Sequence, residues 1–80
     1  MSRKYPKIVS HLVTHHKAWI IGSAANPDNI DPRDYDVLVP YEHWQFAALQ
    51  IPLDAKPNTF GGWKFKDGEK EIDVFPGAVS

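Results

Sequence analysis

Apolar residues at Tyr5, Ile8, Val9, Leu12 and Val13 recur every three or four positions, which places them on one stripe of a helix. This spacing predicts a helix from Tyr5 to Lys17. Ala18-Trp19-Ile20-Ile21 is instead a short, continuous apolar run stopped by Gly22-Ser23, and it reads as a strand. From Ala25 to Arg33 the chain turns polar, with two Pro, two Asn and two Asp, and predicts a loop. A second strand is expected from Asp34 to Val39, ended by Pro40. Tyr41 to Gln50 then spaces Trp44, Ala47 and Ala48 for a short helix that Pro52 terminates. Leu53 to Gly62 is rich in turn formers. Beyond it, Trp63–Lys66 and Glu69–Phe75 flank Asp67-Gly68, a strong hairpin signal. The order helix, strand, strand, helix, strand, strand predicts an α+β domain, a small mixed β-sheet with helices packed on one face.

Composition narrows what such a domain does. Eighty residues make a single domain spanning 1–80, with one modest core and no room for a large ligand-enclosing architecture. The formal net charge is −1 and the basic residues are interspersed with acidic ones, so no basic face announces a nucleic-acid partner. Without a single Cys, disulfides and thiolate metal sites are excluded, and any metal must be held by oxygen or imidazole. No apolar run approaches the roughly 20 residues that span a bilayer, and the N-terminus has no signal-like core. A soluble, cytoplasmic protein is the expectation.

The acidic residues change the picture most. Asp34 and Asp36 are one residue apart on the predicted strand, so both side chains take the face opposite Tyr35 and Val37. Asp73 sits within the apolar run Ile72-Asp73-Val74-Phe75 on the returning hairpin strand. Carboxylates crowded together at a packed sheet are unfavourable unless a cation neutralises them. If the two strands pair, the three acids converge at a sheet edge with room for one or two hard cations. The spacing of Asp34 and Asp36 taken alone also fits a solvated strand whose acids pair with Arg33 or a Lys, and Gly22-Ser23 alone is most often a turn. Asp73, for its part, fits an outward-facing strand residue equally well. Only the combination points to a site.

In that combination the chain resembles the nucleotidyltransferases of the DNA polymerase β superfamily, in particular their minimal single-domain members. The shared features are an apolar strand ending in Gly-Ser (Trp19 to Ser23), an Asp-x-Asp strand after a loop (Asp34 to Val39), and a third Asp among apolar residues on a later strand (Glu71 to Phe75). The resemblance implies a Mg²⁺-dependent (or Mn²⁺-dependent) enzyme that moves a nucleoside monophosphate from a nucleoside triphosphate onto a hydroxyl. Asp34, Asp36 and Asp73 would be its catalytic residues and metal ligands, and Gly22, Ser23 and Arg33 its nucleotide contacts. It departs from the family in three respects. The loop after Ser23 carries Asp28 and Asp31 and no cation, Arg33 stands where the family commonly has Ser, and the length leaves no room for an appended helical domain. These departures keep open a catalytically weak or inactive module that acts by contacting a protein partner. A metal-dependent phosphodiesterase is a third possibility.

Two other patterns draw blander readings. His11 and His15, four apart on the first helix, have metal-ligand spacing but no third ligand in reach, and they read as helix surface. Trp44, Phe60, Trp63 and Phe65 are explained by core packing in a small domain. Phe60-Gly61-Gly62-Trp63 fits a turn into a strand better than a flap over a bound base.

Overall fold

The computed structural model describes residues 5–78. Helix α1 runs Lys7–His15, strand β1 Trp19–Ile21, and a short 3-10 segment Gly22–Ala25 precedes the loop to β2, Asp34–Pro40. Helix α2 follows over Tyr41–Ala47 and tightens into a 3-10 turn at Ala48–Gln50. Strands β3 (Lys56–Pro57), β4 (Trp63–Asp67) and β5 (Lys70–Gly77) complete the chain. They form one five-stranded sheet in the order β1-β2-β5-β4-β3. β2 and β5 pair in parallel and every other neighbouring pair is antiparallel, so the domain is α+β with a mixed sheet.

Local chemistry sets the boundaries. α1 begins two residues later than its apolar stripe because Pro6 caps it and disfavours helical geometry at Tyr5. It ends as Lys17 turns left-handed (φ 55), which lets the Ala18 N–H donate back to the Leu12 carbonyl at 3.2 Å. α2 gives way to 3-10 geometry because Pro52 bars Ile51 from continuing the helix. The hairpin turns one residue later than expected: Asp67 pairs with Lys70, leaving Gly68 and Glu69 as the connection, with Gly68 at φ 66. β3 lies inside the segment read as turn. It is only two residues long and contains a Pro, which is tolerated at a sheet edge.

Both helices cover one face of the sheet. Val9 and Leu12 of α1 and Ala47 of α2 join Tyr35, Val37 and Val39 of β2, Ile72 and Val74 of β5 and Phe65 of β4 in a single buried cluster. Trp44 packs against it, as the sequence predicts, whereas Phe60 and Trp63, read as core in the sequence, are exposed; Tyr5 meets Tyr35 edge-on with centroids 6.1 Å apart. Burying each of the larger apolar side chains stabilises by about 1.5–3 kcal/mol. Alternation along β2 and β5 therefore sends Asp34, Asp36, Leu38, Glu71, Asp73 and Phe75 to the face that carries no helix.

Candidate functional site

The parallel pairing of β2 and β5 brings the predicted acids together. Asp36 lies directly across from Asp73, and one rung before it Asp34 lies across from Glu71. The acids meet at the centre of the sheet, on its open face, and not at an edge, because β1 and β4 flank the pair. Neither Asp34 nor Asp36 has an ion-pair partner among the described residues. Burial, then the charge of Asp73, then that of Asp34 raise the Asp36 pKa above the ordinary carboxylate value, and Lys64 offsets part of this. Like charge is thus concentrated on Asp36.

Asp73 is the most buried of the acids, only 9 % exposed, and it is anchored on both oxygens. The Asn58 side-chain N–H₂ donates to its Oδ1 at 3.2 Å, and Lys64 Nζ stands 3.8 Å from its Oδ2. Asn58 also donates to the Trp63 carbonyl at 3.1 Å and accepts from the N–H groups of Phe60 (3.0 Å) and Gly62 (2.9 Å). This one side chain fixes the turn before β4 and aims Asp73. Sequence reasoning missed it. The signal was present, since an Asn followed two residues later by a turn ending in Gly-Gly is the setting in which Asn bonds nearby backbone.

Gly22 closes the site from the β1 side. Ile21 pairs with Asp36, and the next residue, Gly22, adopts φ 73 so close to that carboxylate that a Cβ would lie 2.8 Å from Asp36 Oδ2. Glycine is required there for both conformation and space. Ser23 is exposed, and its carbonyl accepts from Asn26 N–H at 3.2 Å and from the Asn29 side chain at 3.3 Å. The loop is further stiffened by the Asp28 N–H bonded to Asn26 Oδ1 at 2.9 Å. Arg33 extends the β2–β5 ladder, its carbonyl accepting from Glu71 N–H at 2.8 Å, while its side chain is exposed. Asp31, one of the two loop acids, is paired with Lys70, which holds its carboxyl below the ordinary value.

A hard, oxygen-seeking cation matches the carboxylate chemistry of this face. The arrangement is a row of acid pairs and not a cage: among the described residues no three His, Cys, Asp or Glu side chains are gathered as a metal-holding group. Mg²⁺ is typically held by one or two carboxylates together with water and substrate phosphates, so a row of this kind fits it. His11 and His15 lie on α1 with ring centroids 4.7 Å apart, and His11 is 5.4 Å from His16. Burial and the neighbouring His11, His43 and His15 lower the His16 pKa. No helix among the described residues is long and apolar enough to cross a membrane. Comparison with protein families, with curated proteins and with solved structures returned no match to this chain.

Proposed function

We propose that this chain is a Mg²⁺-dependent (or Mn²⁺-dependent) nucleotidyltransferase-like domain, which transfers a nucleoside monophosphate from a nucleoside triphosphate to a hydroxyl acceptor. The observation that carries the reading is the closure of Asp36 against Asp73 across β2 and β5, with Gly22 seated on the Asp36 carboxylate. Gly22, Asp36 and Asp73 are far apart in the sequence, and their meeting supports this reading. A divalent cation held by one or two carboxylates of this row, together with water and the triphosphate, would supply charge stabilisation to the phosphate oxygens and lower the acceptor's pKa.

The chain's own residues account for the rest. Gly22 lets the backbone approach a phosphate, Ser23 offers a hydroxyl and an N–H, and Arg33 offers a guanidinium at the start of β2. The acceptor oxygen bonds to the α-phosphorus as the bond to the bridging oxygen of the β-phosphate breaks, and pyrophosphate leaves. Asp73, held in orientation by Asn58, takes the acceptor's proton and returns it to water. The pairing of Asp31 with Lys70 removes part of the negative charge that the loop would otherwise present to a triphosphate.

Calorimetry with Mg²⁺ and each nucleoside triphosphate tests this reading. Wild type is expected to bind a triphosphate only when the metal is present, and Asp36→Asn to weaken that binding by about tenfold or more. Absence of metal-dependent binding in wild type overturns it. One observation favours a second reading, a silent module that acts through a protein partner: Lys64 already sits beside Asp73 and competes with a cation for it. Metal-dependent binding without transfer of labelled monophosphate to any acceptor would select that second reading.

A further inference from the structure

Residues 24–32 supply no positive charge, but further cations are found on the other side of the acids. Lys56 of β3 and Lys64 of β4 are direct cross-strand partners in an antiparallel ladder, so both side chains share the open face with Asp73. Like charges directly opposite one another destabilise a strand pair. Lys64 is only partly relieved by Asp73 at 3.8 Å, and Lys56 forms no ion pair among the described residues. A bound anion would remove this repulsion.

The same two lysines line a cleft of about 290 Å³ together with Asn58, Thr59, Phe60 and Asp73. That volume is near the lower end of the roughly 300–1,000 Å³ of small-molecule sites, which suits one nucleotide unit. Phe60 supplies a surface for a base. The residue is 57 % exposed, yet it is held in place by the Phe60 N–H bond to Asn58 and by contact of its ring with Phe75, centroids 5.1 Å apart. An ordered aromatic beside a pair of cations is the combination that binds a single nucleotide, by stacking and by phosphate neutralisation.

We infer that this cleft is a nucleotide-binding site, with the phosphate between Lys56 and Lys64 and the base against Phe60. Because Asp73 belongs both to the cleft and to the acid row, a nucleotide seated there lies beside the acid row. Its role as the acceptor rests on the proposed transferase function, whereas the binding itself does not. The ligand is either a free mononucleotide or the end of a single strand, since the two present the same chemistry.

Binding of 5′-AMP and of a short single-stranded oligonucleotide, measured in EDTA at low salt, tests the inference apart from the metal-dependent reaction. At least one probe is expected to bind wild type, with affinity falling as salt rises. Replacing both lysines (Lys56→Gln with Lys64→Gln) should weaken binding by about tenfold or more, and Phe60→Ala by about fivefold or more, in line with lost phosphate and stacking contacts. The charge-keeping pair Lys56→Arg with Lys64→Arg should retain binding, and Lys7→Gln, on α1, should leave it unchanged. Tighter binding of the oligonucleotide than of 5′-AMP identifies a strand end as the ligand, and equal binding a mononucleotide. The inference is overturned if neither probe binds wild type in EDTA, or if the double Gln variant binds as wild type does. Either result leaves metal-dependent triphosphate binding as a separate measurement.

Discussion

The two faces of β2 and β5 are built from alternate residues of the same strands, yet they obey opposite rules. On the helix face, Tyr35, Val37, Ile72 and Val74 are almost entirely removed from water. On the open face, one residue along in each case, Asp34 and Glu71, then Asp36 and Asp73, set like charges directly across a ladder. The first face holds the domain together and the second weakens it. A strand pair that concentrates repulsion on one side is tolerable only because its other side is so well buried.

Substitutions should separate the two faces, the largest effects falling on the helix side. Ile72→Ala is expected to destabilise by about 2–5 kcal/mol in urea denaturation, because it opens a cavity among fully buried neighbours. Asn58→Ala should cost about 1–3 kcal/mol, since it strands the N–H groups of Phe60 and Gly62 and releases Asp73. Gly22→Ala should cost about 1–2 kcal/mol for a side chain at positive φ, and should also abolish metal-dependent triphosphate binding by pushing on the Asp36 carboxylate.

Asp36→Asn should run the other way and stabilise the metal-free protein at neutral pH. The folded protein keeps the Asp36 proton to a higher pH than the unfolded chain does, so stability falls as pH rises from the ordinary value of 3.8 through the raised one and then stays level. The variant should lack that fall, and thermal denaturation in EDTA across this range should show the two proteins converging in acid. Mg²⁺ should narrow the gap in favour of wild type. Smallest of all, Lys70→Met removes the Asp31 partner on the surface. Asp31 is held below its ordinary pKa, so its contribution is present above 3.8 and lost as pH falls through the lowered value. A small loss of stability above pH 3.8 that disappears in acid is the expected result.

Periodicity made one face far more legible in the sequence than the other. The stripe of α1 and the alternation of β2 follow from burial, which leaves a regular signature: Val9, Leu12, Tyr35, Val37 and Val39 join the core as read, whereas Val13, Phe60 and Trp63, also read as core, are exposed, and some element ends are displaced. Those displacements trace to single residues: Pro6 delays α1, and Gly68 shifts the hairpin turn because the left-handed position falls one residue beyond Asp67. The open face is less regular. Asp34, Asp36 and Asp73 stood out as acids among apolar neighbours, but their meeting depends on which strands pair, and nothing local to either strand states that. Asn58 and the lysine pair were hidden for a further reason. β3 is too short to show alternation, so Lys56 gave no sign that it lies across from Lys64.

The central parallel pairing has one more consequence, for the order in which the molecule can be made. Asp36 and Asp73 are separated by 37 positions, and the strand that brings them together is the last of these five to emerge during synthesis. Non-local pairing of this kind is slow and depends on loop closure over the whole intervening segment. Any fragment ending before Ile72 has Asp36 and Gly22 without Asp73 and without the β5 backbone on which β2 docks. The site therefore cannot accumulate in a half-made or clipped chain, and its appearance reports that assembly of the sheet has finished.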